Sequence, residues 1–291
     1  MVAHRFPTFA RSRRLTAAAL LVALTLAGGA RPSEAGGAAA LDARYTLYFG
    51  GLPLADLELS HANGAADYAS QFSIRTKGLV EVFVRYRGKA SVAGRLDEDG
   101  ELKPLTYDAS FKRKNTVRSS QVRFAPGTGE VVEVETTKQN KAQESDVPPE
   151  MWVDVTDPLT AFMTLRQHLA AARAGAGNPI SAQIFDGRLR YDLEAELVGR
   201  QTVRFDGQDW PALRVEATLR PLAGFNRNDL RRSGFGEDGL QAELIVTDDE
   251  LLLPISVRTT NTRMPILFQL QGCRGGCSSQ LEAAVDAQAA G

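Results

Sequence analysis

The residues best suited to redox or metal chemistry are two cysteines near the C-terminus. Cys273 and Cys277 enclose three residues in "CRGGC", whereas redox-active thiol pairs enclose two. Gly275 and Gly276 allow the backbone to turn tightly between them. An exported protein folds in oxidising surroundings, and the N-terminus of this chain indicates export. We therefore predict that the two cysteines form a disulfide.

The chain contains few histidines that could take part in catalysis. Of the three histidines, His4 lies in the N-terminal segment, which leaves His61 and His168. The sequence contains neither a G-x-S-x-G nucleophile elbow nor an H-E-x-x-H zinc motif. A zinc site that joins these two histidines to the two cysteines is an alternative, but their scattered spacing does not favour it. We predict no catalytic residue, no metal and no cofactor, and hence a protein that is not an enzyme.

The segment 224–239 contains two features that could bind phosphate. "GFGEDG" has the spacing G-x-G-x-x-G, but a dinucleotide site needs a helix after the glycines, and here a strand-like run follows. Arg227, Arg231 and Arg232 make the segment locally basic, so that it could touch lipid phosphates. A plain solvated loop is the alternative, because loops often carry such charges.

Most of the chain alternates apolar and polar residues, as strands with one buried face do. In residues 185–199, Leu189, Tyr191 and Leu193 share one face, and charged residues occupy the other. Turn-forming residues such as Asp-Gly separate the runs. We predict about thirteen strands. The fourteen candidate runs lie at 45–49, 54–60, 68–76, 80–96, 106–113, 116–124, 130–138, 180–185, within 185–199, and at 202–206, 212–220, 240–248, 253–261 and 266–271.

One segment follows a helical period instead. Asp157 is a candidate N-cap, Pro158 suits the first helical position, and Gly175 suits the end, so we predict a helix over about 157–174. Its apolar face includes Leu159, Phe162 and Met163.

These elements predict an all-β, mainly antiparallel fold with one helix. The strand number is compatible with a barrel, an open half-barrel or two packed sheets. In the first two cases the helix would plug or cover an apolar cavity, and Leu159, Phe162 and Met163 would be cavity or lid residues. The polar segments 138–150 and 224–239 are predicted to be exposed loops.

The N-terminus has the pattern of a cleaved secretory signal. Residues 1–14 carry four arginines and no acid, and the thirteen-residue uncharged run that follows is too short to span a bilayer. A cut before Gly36, or alternatively after Ala30, would place the protein in the periplasm without a membrane span. Residues 36–277 would form one β-rich domain, and 278–291 would be a disordered tail. Without residues 1–35, which hold five arginines and one glutamate, the chain carries 29 basic and 34 acidic residues, a net charge of −5. That balance excludes a nucleic-acid footprint.

Three pieces of the chain, "TDPLTAFMTLRQHL", "FDGRLRYDL" and "LPISVRT", resemble, in this order, the bacterial family catalogued as domain of unknown function 3108. The resemblance covers about residues 43–271, whereas "CRGGC" lies outside the pattern. It implies an exported, β-rich envelope protein and no established activity. The most specific residues, to which it assigns a structural or binding role, are Asp157, Pro158, Asp186, Gly187, Arg188, Arg190 and Tyr191.

Two functions follow as hypotheses. By analogy of fold with periplasmic carriers that shield acyl chains, the first is a non-catalytic envelope protein that binds an apolar or lipid-like component in a β-cavity. The alternative is an envelope assembly or scaffolding protein with a filled core, which meets protein partners through the segments 138–150 and 224–239.

Overall fold

Fourteen antiparallel strands form a single sheet. The structure, a computed structural model, describes residues 40–177, 179–205, 207–226, 230, 238–275 and 277. The predicted signal peptide, its cleavage site, the tail 278–291 and most of the basic segment 224–239 therefore lie outside the described residues. The strands are β1 (Ala40–Phe49), β2 (Leu52–Asn63), β3 (Asp67–Thr76), β4 (Tyr86–Leu96), β5 (Leu102–Arg113), β6 (Thr116–Phe124), β7 (Val131–Lys138), β8 (Lys141–Gln143), β9 (Ile180–Phe185), β10 (Arg190–Phe205), β11 (Gln208–Ala223), β12 (Leu240–Thr247), β13 (Pro254–Thr259) and β14 (Ile266–Arg274).

The sheet is barrel-like but not closed. Its strand order runs from β8 down to β1 and then from β14 down to β9, so β8 and β9 are free edges. The chain between β8 and the main helix lies beside the β9 edge. There the amide of Thr156 donates to the carbonyl of Gln183 at 2.8 Å, and the amide of Phe185 donates to the carbonyl of Thr156 at 2.9 Å. Of the three predicted architectures, the open half-barrel is the one that corresponds to this single, unclosed sheet.

The concave face of the sheet is the buried one. Alternate residues of β2 and β3 are buried, and the residues between them are half-buried or exposed, as the period of two predicts. The main helix, α2 (Pro158–Arg173), contacts β3, β4, β5, β9 and β10, so it lies within the curve of the sheet. A hydrogen bond of 2.7 Å between the hydroxyls of Tyr68 on β3 and Thr160 on α2 joins the two layers. The predicted helix is thereby confirmed, with bounds within a residue of those expected.

A second, short helix contradicts part of the predicted strand 80–96. Residues Gly78–Phe83 form α1, and the strand begins only at Tyr86. Gly78 has a φ of +62°, which turns the chain out of β3. Val82 is 69% exposed, so the apolar alternation at this point does not mark a buried face.

Two further predictions of local structure were wrong. The segment 138–150, predicted as a loop, contains β8 and a 3-10 helix at Pro149–Met151. The runs 185–199 and 202–206, predicted as separate strands, are parts of the sixteen-residue β10. The pairing with β11 is irregular between Leu197 and Gly199, and residues 198–202 are half-buried or exposed, so the alternation is interrupted there and the continuity of the strand is hidden.

The chain beyond β14 is held locally. A disulfide joins Cys273 and Cys277, whose Cα atoms are 6.2 Å apart. Within the residues that the structure describes, no helix combines the length and hydropathy needed to cross a membrane.

Candidate functional site

The start of α2 is fixed by a buried carboxylate. Oδ1 of Asp157 accepts hydrogen bonds from the amides of Leu159, at 2.9 Å, and Thr160, at 3.1 Å. Pro158 occupies the first helical position, where its missing N–H leaves no bond unmade. Asp157 is therefore the N-cap, the role that its position before Pro158 predicts.

A second buried carboxylate shapes the turn between β9 and β10. Oδ1 of Asp186 accepts from the amides of Arg188, at 2.7 Å, and Leu189, at 2.6 Å. Gly187 has a φ of +86°, and a Cβ there would stand 2.9 Å from the Cβ of Ser120 on β6. Both the left-handed conformation and the close approach require glycine at this position.

Arg190 links this turn to the chain that leads into α2. Its Nη1 donates to the carbonyl of Met151 at 2.5 Å, and its Nη2 donates to Oε1 of Gln183. The residues of the family motif thus hold the β9 edge and the beginning of α2 together.

Both carboxylates are fully buried, and this changes their protonation. Burial raises the pKa of Asp157 to about 6, although the hydrogen bonds from Thr160 and Leu159 oppose the shift. Burial also raises the pKa of Asp186, against the nearby charge of Arg188. Oδ2 of Asp157 and the hydroxyl of the fully buried Tyr107 have no hydrogen-bond partner within the described residues. Charge is therefore costly at this site, and Asp157 keeps its proton to a higher pH than an ordinary aspartate does.

An apolar cavity of about 180 Å³ lies between α2 and the concave face of the sheet. Nineteen residues line it, from α2, β1 to β3 and β9 to β14, or directly beside these elements. All are apolar except for the hydroxyls of Tyr45 and Tyr191. Such a cavity excludes water unless polar groups offer it several hydrogen bonds. The arrangement can therefore hold an apolar group.

Tyr45 lines this cavity and carries a hydroxyl that is itself buried. Its side chain is 7% exposed, and its hydroxyl has no hydrogen-bond partner within the described residues. Burial raises the pKa of Tyr45, so the phenol stays protonated and can donate. A buried, unpaired donor is unfavourable, and a ligand that supplies an acceptor would satisfy it.

Arg166 on α2 adds a positive charge near Tyr45. Its Nε donates to the carbonyl of Leu251 at 2.9 Å, its Nη2 donates to the same oxygen, and its Nη1 approaches Sδ of Met163 at 3.4 Å. None of the ion pairs among the described residues includes Arg166. The guanidinium acts electrostatically on both Tyr45 and His61. The charge of Asp249 acts favourably on the guanidinium but forms no ion pair with it within the described residues, so Arg166 is a positive charge beside the cavity without a directly bonded carboxylate.

A serine–histidine pair, which motif searching missed, lies on β2 and β3. Nδ1 of His61 and Oγ of Ser70 are 2.8 Å apart, because the two residues are directly paired across the hairpin. The hairpin register was the signal that could have revealed it. Burial, with a smaller effect from Arg166, lowers the pKa of His61 to about 4, which makes it a weak base at neutral pH. Ser70 is only 1% exposed, so the pair has the features of a structural hydrogen bond.

The predicted cavity residues lie in two environments. Leu159 and Phe162 line the cavity, and so do Pro158 and Tyr191 of the family motif. Met163 is buried on α2 but does not line the cavity. His168 is exposed, and the residues that the structure describes contain no group of three or more His, Cys, Asp or Glu side chains that could hold a metal.

Comparison with known proteins gives a family and a structural likeness. The sequence model of a family described as "Protein of unknown function (DUF3108)" matches residues 44–262. No curated protein matches the chain. The chain is similar to the crystal structure of a "Beta-barrel-like Protein of Domain of Unknown Function DUF1849 from Brucella abortus". The identity is 10% and the TM-score 0.48, over 82% of this chain and 99% of that one.

Proposed function

The chain belongs to the DUF3108 family of proteins of unknown function, and on this premise we propose that it is a non-catalytic, exported envelope protein that binds an apolar component in the cavity beside α2. The proposed compartment is the periplasm, because the N-terminal 35 residues have the charge and apolar pattern of a secretory signal. The absence of a nucleophile, metal or cofactor motif in the sequence favours binding over catalysis.

The observation that carries the proposal is the apolar cavity itself. This cavity is partly open to solvent, and its space of about 180 Å³, lined almost entirely by apolar side chains, is larger than the few voids of a packed core. An engineered apolar cavity of about 150 Å³ in another protein binds benzene, whereas drug-sized ligands occupy about 300–1,000 Å³. The cavity therefore suits a small apolar group or one end of an acyl chain.

The polar groups beside the cavity favour a ligand with an acceptor at one end. Tyr45 carries an unpaired donor, and Arg166 supplies a positive charge that the nearby Asp249 acts on without forming an ion pair within the described residues. A carboxylate, an ester carbonyl or a phosphate would accept from the phenol and be attracted by the guanidinium. We therefore assign the ligand to the single-chain amphiphiles, with the apolar part in the cavity and the acceptor near Tyr45.

Native mass spectrometry on protein released gently from the periplasm tests the proposal directly. We expect a bound amphiphile that is lost from a cavity-filling variant, Ala242→Leu, since Ala242 lines the cavity. The variant should bind an apolar fluorescent probe more weakly while remaining at least as stable, because filling a void adds contacts. Leu169→Ala is the matched control, because Leu169 is buried on α2 but does not line the cavity.

The result that contradicts the proposal is equally specific. If wild-type protein carries no ligand and binds no probe, and Ala242→Leu is destabilised by overpacking, the core is filled in solution. An envelope scaffold that acts through its loops would then be the better account.

A further inference from the structure

The turns between neighbouring strands differ in charge at the two ends of the open barrel. Because the strands are antiparallel, alternate turns lie at opposite ends of the sheet. At one end, the turns 64–66, 97–101, 125–130 and 248–252 contain eight carboxylate side chains and no lysine or arginine. At the other end, the turns 50–51, 77–85, 114–115, 139–140, 186–189 and 260–265 contain two carboxylates: Asp186, which is buried, and Glu81, which is 3.2 Å from Arg87. The described part of the β11–β12 turn adds Asp238, and the segment after β8, which Ser145 and Met151 attach to the β9–β10 turn, adds three exposed carboxylates: Glu144, Asp146 and Glu150.

Six exposed cations lie in or next to the turns of this second end. We call them the basic rim; none of them takes part in an ion pair within the described residues. Exposed carboxylates lie in residues 144–154, which follow Lys141 closely in the sequence, and they limit the basic rim next to that lysine. The members of the basic rim are Arg85, Lys112, Lys114, Lys138, Lys141 and Arg263.

The turns of the basic rim are neighbours in space. The amide of Lys114 donates to the carbonyl of Arg85 at 2.8 Å, which joins the β5–β6 turn to the chain before β4. The amide of Lys77 donates to the carbonyl of Leu54 at 2.9 Å, which joins α1 to the start of β2. A Cβ on Gly50 would lie 2.6 Å from Cε of Met264, so the β13–β14 turn covers the β1–β2 turn.

Three large apolar side chains project from the same turns. Leu52 is 67% exposed, Val82 69% and Met264 48%. Lysines and arginines around exposed apolar tips form the pattern that binds an anionic lipid surface, since the charges meet head groups and the tips enter the interface. A soluble polyanion would use the charges alone and would leave the apolar tips in water.

We propose that the end of the barrel formed by the basic rim, with Leu52, Val82 and Met264, docks on an anionic lipid bilayer. The acidic end then points away from the membrane, so the charge separation orients the protein as well as attracting it. This inference does not depend on a ligand in the cavity.

Sedimentation with vesicles of phosphatidylcholine, with and without phosphatidylglycerol, tests the docking. Mature protein should bind only the anionic vesicles, and binding should weaken as salt rises. Lys112→Gln combined with Lys114→Gln should lower the affinity about 25-fold, at about fivefold for each cation removed. Lys89→Gln combined with Arg95→Gln removes the same charge from exposed positions outside the rim and should leave the affinity unchanged.

A second pair of measurements separates a membrane from other anions. Leu52→Ser combined with Met264→Ser should weaken vesicle binding but leave any binding to a short DNA duplex unchanged. The proposal is overturned if anionic vesicles are not bound at low salt, or if the rim and control variants lose affinity equally. It is also overturned if the serine variant binds vesicles as tightly as wild type, since the rim would then be a general polyanion surface.

Discussion

Replacing Asp157 by asparagine should change how the stability of the protein depends on pH. The new amide side chain would retain an oxygen for the backbone N–H groups of Leu159 and Thr160, so the N-cap of α2 should persist. What the replacement removes is a carboxylate whose pKa burial raises to about 6, from an ordinary value of 3.8. Because the native state holds this proton more tightly than the unfolded state does, wild-type stability should fall as the pH rises through that interval.

The magnitude follows from the two pKa values. A difference of this size corresponds to about 3 kcal/mol when the carboxylate is charged in both states, and about 2–3 kcal/mol of it should develop between pH 4 and pH 7. The free energy of unfolding of the variant minus that of wild type should therefore increase by that amount over this range. Any constant cost of burying the new amide adds equally at every pH and does not affect the slope.

Urea unfolding at a series of pH values measures this difference. Asp157→Ala is the companion variant, because it loses the two cap hydrogen bonds as well as the charge. Its free energy of unfolding should be lower than that of Asp157→Asn by about 1 kcal/mol at every pH, and it should change with pH at the same rate. A difference that stays constant with pH, or that decreases, would show that the cap hydrogen bonds outweigh burial and that Asp157 is charged without penalty.

Four other predictions concern separate parts of the molecule. Because burial lowers the pKa of His61 to about 4, the free energy of unfolding of the wild-type protein should decrease by about 3 kcal/mol as the pH falls from about 6.5 to 4. His61→Gln should remove that decrease when unfolding is measured in urea. Phe162→Ala, at a half-buried cavity position, should cost less than about 3 kcal/mol and change apolar probe binding, whereas Leu169→Ala should cost about 2–5 kcal/mol and leave the probe affinity unchanged. Cys273→Ser should lower the free energy of unfolding in urea by roughly 2 kcal/mol at most and preserve the circular dichroism spectrum. N-terminal sequencing of the exported protein should begin near Gly36, and recovery of Met1 from most of the cellular protein would contradict the signal prediction.

The sequence was most informative where a residue acts on its own neighbours in the chain. Asp157 and Pro158 predicted the start of α2, because a cap needs only the amides two and three residues later. Alternation predicted the buried face of β3 for the same reason. Where the alternation is interrupted, around Gly199 within β10, the same reasoning divided one strand into two.

The features that depend on the curvature of the sheet could not be predicted in this way. The cavity exists because α2 does not fill the concave face, and nothing in the local pattern of either element sets that distance. The unpaired hydroxyl of Tyr45 and the position of Arg166 follow from the same three-dimensional arrangement. The pairing of His61 with Ser70 could have been predicted from the sequence, since it follows from the register of a short hairpin.

The unclosed sheet has a consequence for the capacity of the interior. In a closed barrel the strand number and stagger fix the girth, so a larger content cannot be admitted without breaking a ladder. Here the circumference has a seam, where the segment between β8 and α2 lies along β9. Hydrogen bonds of Thr156, the 2.8 Å hydrogen bond from the Ser145 hydroxyl to the carbonyl of Gly187, and the stacking of Trp152 on Phe185 hold the segment there. None of these contacts belongs to the thirteen strand pairings, so a wider seam would enlarge the interior while all of those pairings remain intact. The strand pairings alone therefore do not fix the girth of this protein, because the side chains and turns at the seam also determine it.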